Sequence, residues 1–179
     1  MTTEPTIPEP PLASASTAAA PKTESRAGKY LSFRLGQEEY AIQVLRVREI
    51  MGIPEITAVP QTPVYLKGVI NLRGKVIPVM DLRLRFGLKE TERTHQTCII
   101  VVEIQQGMAP VWMGVIVDAV SEVLTLVAAD IEDTPDFGSS TAAPYLLGMA
   151  KVKGKVKILL EIGTVLTATE LAGIEHVAG

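Results

Sequence analysis

Most of the groups that carry chemistry are scarce in this sequence. Cys98 is the only cysteine among 179 residues, so no internal disulfide can form, and a reducing compartment, the cytoplasm, is the simple inference. The two histidines, His95 and His176, give no pair at metal-ligand spacing. Aromatic residues make up 4% of the chain and the formal charge is −3. Binding a phosphate backbone wants a basic stripe, often with stacking aromatics; neither is visible, and nucleic acid is set aside as a partner. A membrane-spanning helix needs ~20 apolar residues, whereas runs such as Val111 to Val117 end at Asp118. The first residues also lack the basic stretch and apolar core of a secretory signal.

Catalytic constellations are missing too. There is no glycine-rich loop of the P-loop or dinucleotide type, and no cofactor or metal ligand set is found. Cys98 heads an apolar run, and in a strand it faces away from its alternate neighbours, so it reads as a small core residue rather than a nucleophile served by His95. Asp130, Glu132, Asp133 and Asp136 lack the spacing of a calcium loop; beside Pro135, Gly138, Ser139 and Ser140 they read as a solvated loop. Trp112 and Met113 read as core. The chain is therefore not expected to be an enzyme.

What is abundant is apolar: 47% of residues are hydrophobic, which implies efficient burial or an apolar surface reserved for partners. Residues 1–27, with Pro5, Pro8, Pro10, Pro11 and Pro21 among Ala, Thr and Ser, cannot bury enough surface to offset ordering entropy and read as a disordered tail. From Gly28 onward, short Val- and Ile-rich runs follow at the spacing of an all-β barrel. They include Tyr30 to Leu35, Tyr40 to Ile42, Val69 to Leu72, Lys75 to Met80, Cys98 to Ile104, Val111 to Val117, Val123 to Val127, Leu146 to Val152 and Val156 to Glu161. Arg73-Gly74 marks a hairpin with Gly supplying the positive-φ position, and Gln105-Gln106-Gly107 marks another. Helical signals are few: Thr62-Pro63 as the start of a single turn, Leu82 to Phe86 as another, and Thr169 to Val177 as a short terminal helix.

The most informative pattern is an internal repeat. Tyr65-Leu66-Lys67-Gly68, Gly74-Lys75-Val76 and Asp81-Leu82 recur 80 residues later as Tyr145-Leu146-Leu147-Gly148, Gly154-Lys155-Val156 and Glu161-Ile162, with Lys153 in the place of Arg73. Ala41-Ile42, Val44, Val47, Glu49 and Ile50 recur 73 residues later as Gly114-Val115, Val117, Val120, Glu122 and Val123. The chain thus reads as two copies of one β unit, roughly 28–95 and 96–168, followed by a short helix or tail at 169–179. Each copy alone would bury only ~60% of its surface, so the two are expected to pack together and to leave a groove between them.

Glu49, bracketed by apolar residues in Val47-Arg48-Glu49-Ile50, and Arg73, at a hairpin tip, are the two charges that stand out. They fit equally well an ordinary surface ion pair contributing ~0–1 kcal/mol or an interface pair, arginine on a rigid tip being a favoured hot-spot type.

These same residues carry a resemblance. Gly68-Val69-Ile70-Asn71-Leu72-Arg73-Gly74, then Ile77-Pro78-Val79, Asp81-Leu82-Arg83 and Phe86-Gly87, resembles the signature of the CheW family of bacterial chemotaxis coupling proteins. Tyr40-Ala41-Ile42 through Ile50, Gly114 to Asp118 with Val120, and Tyr145 to Gly148 extend it over roughly 29–168. The resemblance implies an all-β fold of two SH3-like five-stranded β-barrels packed side by side, a CheW-like domain over 28–168, and a non-catalytic adaptor role. The implied partners are the regulatory domain of the histidine kinase CheA and the cytoplasmic tip of methyl-accepting chemoreceptors. The implied place is the cytoplasm, at membrane-bound receptor arrays, without membrane insertion. Val47, Glu49, Gly68 and Arg73 match positions implicated in receptor or kinase binding, and Asn71 lies in the same motif. A second reading keeps the fold and moves the coupling protein to another chemosensory pathway, such as surface motility.

Overall fold

The computed structural model describes residues 26–106, 109–133 and 145–165. The strands are β1 (Gly28–Leu35), β2 (Glu38–Gln43), β3 (Val47–Gly52), β4 (Leu66–Leu72), β5 (Lys75–Asp81), β6 (Cys98–Gln106), β7 (Ala109–Val117), β8 (Ala119–Leu126), β9 (Ile131–Glu132), β10 (Leu146–Val152) and β11 (Lys155–Leu160). One helical turn, α1 (Leu82–Arg85), follows β5, and short 3-10 turns occupy Val44–Arg46, Ala128–Asp130 and Ile162–Thr164. Asp81 starts α1 by accepting the Arg83 amide at 2.9 Å, the cap that a turn's unpaired amides require.

The all-β expectation holds, and α1 falls where a helical turn was expected. The turn expected after Thr62 does not become a helix. Its hydroxyl donates back to the Val59 carbonyl at 3.0 Å instead of accepting a first-turn amide, and Leu66 closes a tight turn on Pro63. The terminal helix at 169–177 and the tail before residue 26 lie outside the described residues. The last residues of the expected tail, from Arg26, are described. Arg26 is buried, donates to the Leu147 carbonyl at 2.6 Å and pairs with Asp133 at 2.9 Å, while Tyr30 donates to its carbonyl. A buried guanidinium needs polar partners; Leu147 and Asp133 both meet Nη1 and arrive from far along the chain, while Nε and Nη2 have no hydrogen-bond partner among the described residues.

Two sheets form. One has the order β8-β1-β2-β11-β10-β9 and the other β3-β6-β7-β5-β4. The first carries the two-residue β9 as a sixth strand; at the matching place in the second sheet, Thr57 makes an isolated bridge to Val69. The sheets are not the two halves of the sequence. The β1–β2 hairpin sits with β8 to β11, and the β6–β7 hairpin sits with β3 to β5. A boundary near residue 95 therefore separates the repeats but not the barrels. The repeats have exchanged their first hairpins: β1 pairs with β8 as β6 pairs with β3, and β2 runs parallel to β11 as β7 runs parallel to β5.

The core follows from that exchange. One apolar cluster, with Tyr30, Ala41, Leu124, Leu126 and Leu159, fills the barrel of the first sheet. Another, with Ile70, Leu72, Ile77, Val79 and Ile99, fills the barrel of the second. Between them lies a shared cluster drawn from both sheets, including Phe33, Ile42, Leu66, Met80, Ile100, Val115 and Leu160. Phe33, Tyr40, Phe86 and Tyr145 stack in series beside it with centroid separations of 5.2–6.1 Å. Four of the chain's few aromatics are thus spent where the halves meet.

Candidate docking surface

The β4–β5 connection is a two-residue turn with φ of +52° at Arg73 and +83° at Gly74. Both central residues take positive φ, as a type I′ turn demands, so glycine alone does not supply the left-handed backbone. Arginine bears a steric cost of ~1–2 kcal/mol there, offset in part by the Asn71 side chain, whose Oδ1 accepts the Gly74 amide at 2.8 Å. The result is a rigid tip. Arg73 stands on it with its side chain 75% exposed, 3.1 Å from the carboxylate of Glu49.

Glu49 reaches that position because β3 bulges. Val47 faces Val102 on β6 and Glu49 faces Val101, so Arg48 is the extra residue, and such a bulge re-aims the side chains around it. Arg48 turns to Glu103, leaving Glu49 to Arg73. Ile50 and Val76 are exposed beside the pair, and Lys75 lies 4.6 Å over the ring of Trp112. A charged pair on a stiff backbone with exposed aliphatics in the same strands makes this patch the candidate docking surface.

The five candidate residues therefore divide. Glu49 and Arg73 meet at the surface. Asn71 holds the turn that presents Arg73. Val47 is half-buried against the shared core and anchors the start of β3. Gly68 faces backbone: a Cβ there would lie 2.1 Å from the Thr57 carbonyl oxygen. Cys98 is half-buried at the start of β6, and burial raises its thiol above the ordinary value. Among the described residues no group of three or more His, Cys, Asp or Glu side chains could hold a metal ion, and no helix is long and apolar enough to cross a membrane.

A second patch was missed, although the repeat names its members. On β8 the bulge recurs, with Val123 facing Leu31 and Val120 facing Phe33. The β10–β11 turn repeats the tip, with φ of +52° at Lys153 and +78° at Gly154. Glu122 and Lys153 approach to 4.0 Å, and Val123 and Val156 are exposed as Ile50 and Val76 are.

Comparison with known proteins gives the family of the chain. The model of the CheW-like domain matches residues 29–170. The chain belongs to the CheW family. It is 37% identical over 150 residues to the chemotaxis protein CheW of Klebsiella aerogenes, spanning 84% of this chain and 88% of that one. It is 31% identical over 126 residues to protein FrzA of Myxococcus xanthus, spanning 70% and 76%. The crystal structure of the scaffolding protein TtCheW from Thermoanaerobacter tengcongensis matches with a TM-score of 0.69 at 35% identity, spanning 78% of this chain and 92% of that one. Membership fixes the fold as two SH3-like β-barrels and makes the chain a non-catalytic scaffold.

Proposed function

We propose that this chain couples transmembrane chemoreceptors to a CheA-type histidine kinase by protein contact alone, in the cytoplasm at receptor arrays. One barrel docks on the regulatory domain of the kinase, and a groove beside the barrel junction takes the cytoplasmic helical tip of a receptor. The observation that carries the reading is the Arg73–Glu49 pair. The two-residue turn fixes the backbone of Arg73 before any partner arrives, so binding has only its side chain to order, and its carboxylate partner fixes the direction of its remaining donors. Glu49 and Arg73 make the contact; Val47, Gly68 and Asn71 act by shaping β3, β4 and the turn.

The test is calorimetric titration of the protein into the regulatory domain of a CheA-type kinase from the same genome. Wild type binds saturably, and Arg73→Glu weakens binding by ~2 kcal/mol or more, as a hot spot requires, with the melting curve unchanged. Equal binding by wild type and variant removes Arg73 from that interface. No binding to any such kinase removes the coupling role. The same adaptor serving another chemosensory pathway is a second reading, supported by the match to a relative that does not carry the CheW name, FrzA.

A further inference from the structure

The two patches are built alike but are not chemically alike, and the difference lies under the second one. Ile77 of β5, at the foot of the first patch, is buried in the apolar core of its barrel. Its counterpart 80 residues on is Lys157 of β11, whose side chain is only 5% exposed. Its ammonium contacts the Ser32 hydroxyl at 3.3 Å, pairs with Glu39 and lies 3.9 Å from Glu122. The other oxygen of Glu122 lies 4.0 Å from Lys153. A cation cut off from water must be compensated by nearby anions; Glu39 is the close partner of Lys157, and Glu122 is a second one, as near to Lys157 as it is to Lys153. Glu122 is therefore divided between two lysines, while among the described residues Glu49 pairs with Arg73 alone, at 3.1 Å.

We propose that Lys157 is a positioning residue that keeps the second patch from duplicating the first. By drawing Glu122 toward β11 it leaves Lys153, whose side chain is 81% exposed, as an incompletely paired cation. A protein surface complementary to the closed Arg73–Glu49 pair then meets the wrong charge pattern at the second patch. The two ends accept different surfaces although they descend from one repeat, and like-for-like docking at both ends is prevented by an unmatched charge rather than by shape. The inference rests on the coupling role proposed above, with the kinase regulatory domain as the surface that the first patch binds.

Lys157→Ile places in the second barrel the residue that already fits the equivalent site of the first. Ser32 and the partly exposed Glu39 lose a partner, and Glu122 is released to Lys153. The experiment titrates the kinase regulatory domain into wild type, Lys157→Ile and the double variant Arg73→Glu/Lys157→Ile, each checked by thermal melting. Wild type takes one regulatory domain per chain. Lys157→Ile takes two, the second within about tenfold of the first (~1.4 kcal/mol), and the double variant keeps one. A single site in folded Lys157→Ile together with a silent double variant overturns the proposal, as do two sites in wild type. If Lys157→Ile melts early, Lys157→Met, which keeps the length of the chain without its charge, carries the same expectation. Failure of wild type to bind is a different result, which refutes the coupling role and this inference with it.

Discussion

Gly68→Ala separates a residue that a partner touches from one that the fold needs. Gly68 has φ of +144°, and a Cβ there would stand 2.1 Å from the carbonyl oxygen of Thr57, 2.8 Å from its carbonyl carbon and 3.0 Å from the Cα of Ala58. All three are backbone atoms, so no side chain can swing aside. The Thr57 segment must leave β4, and with it go the two hydrogen bonds that Thr57 and Val69 exchange at 2.9 Å. Each bond is worth ~0.5–1.5 kcal/mol net, and alanine forced into this backbone region adds ~1–3 kcal/mol. The expected loss is about 2–6 kcal/mol, a large share of the ~5–15 kcal/mol that holds a domain together. For a domain of this size that lowers the melting temperature by roughly 5–20 °C. Equilibrium denaturation with urea measures it directly. Gly148→Ala provides the gradation, since there the nearest backbone atom, the Glu132 carbonyl oxygen, is 2.7 Å away rather than 2.1 Å, and the other crowding atoms belong to the side chains of Arg26 and Ile131; its loss is smaller. A Gly68→Ala protein within ~1 kcal/mol of wild type that still fails to bind its partner would refute the reasoning and make Gly68 a contact residue.

Splitting the chain between residues 91 and 92 gives two fragments that stay unfolded apart and fold when mixed, because β1, β2, β3 and β5 each pair with strands from the other half; circular dichroism of each fragment and of the mixture decides it, and an independently folded fragment contradicts the exchange. Burial raises the carboxyl of Asp81 above its ordinary value, more than its amide hydrogen bonds lower it. A raised carboxyl contributes stability below its unfolded value and loses it as pH climbs through the folded value, so Asp81→Asn flattens that part of the melting-temperature profile between acid and neutral pH; an unchanged profile refutes the assignment. Removing residues 1–25 leaves the melting temperature nearly unchanged. Arg26→Ala lowers it by several degrees, because its ties to Leu147 and Asp133 are lost together, and scanning calorimetry of the two variants tests the order.

Strands were legible because their signal is local. Val- and Ile-rich runs and the Arg73-Gly74 turn declare themselves within a few residues, and the repeat declared that the turn at Lys153-Gly154 would match it. Hairpin exchange was not legible, for a physical reason. Because the repeats are equivalent, β1–β2 presents nearly the same apolar pattern as β6–β7, and either hairpin satisfies either sheet as far as hydrophobic alternation can tell. Only the short crossings, Val44–Arg46 after β2 and the single residue Asp118 after β7, carry the chain from one sheet to the other. The site was legible in part. Glu49 and Arg73 were singled out by type and setting, whereas the backbone role of Gly68 depends on Thr57, eleven residues away and without a strand signal of its own. Lys157 was hidden most thoroughly. It ends a run of alternating lysines at 151, 153, 155 and 157 that reads as a solvated edge, and its burial depends on Ser32 and Glu39, more than a hundred residues earlier.

The exchange also bears on what an adaptor must do. Two barrels joined by a tether reorient freely, since interfaces between domains of one chain are commonly small and polar. Here each barrel contains a hairpin belonging to the other repeat, and the shared core with Phe33, Met80, Ile100 and Leu160 lies between them. Turning one barrel against the other would break hydrogen-bonded ladders and open apolar surface, which confines such motion to partial unfolding. The tip at Arg73 and the tip at Lys153 are therefore fixed in mutual direction by the fold. A scaffold that holds partners in a set geometry benefits from that fixed relation, and the exchange of hairpins between the two repeats supplies it.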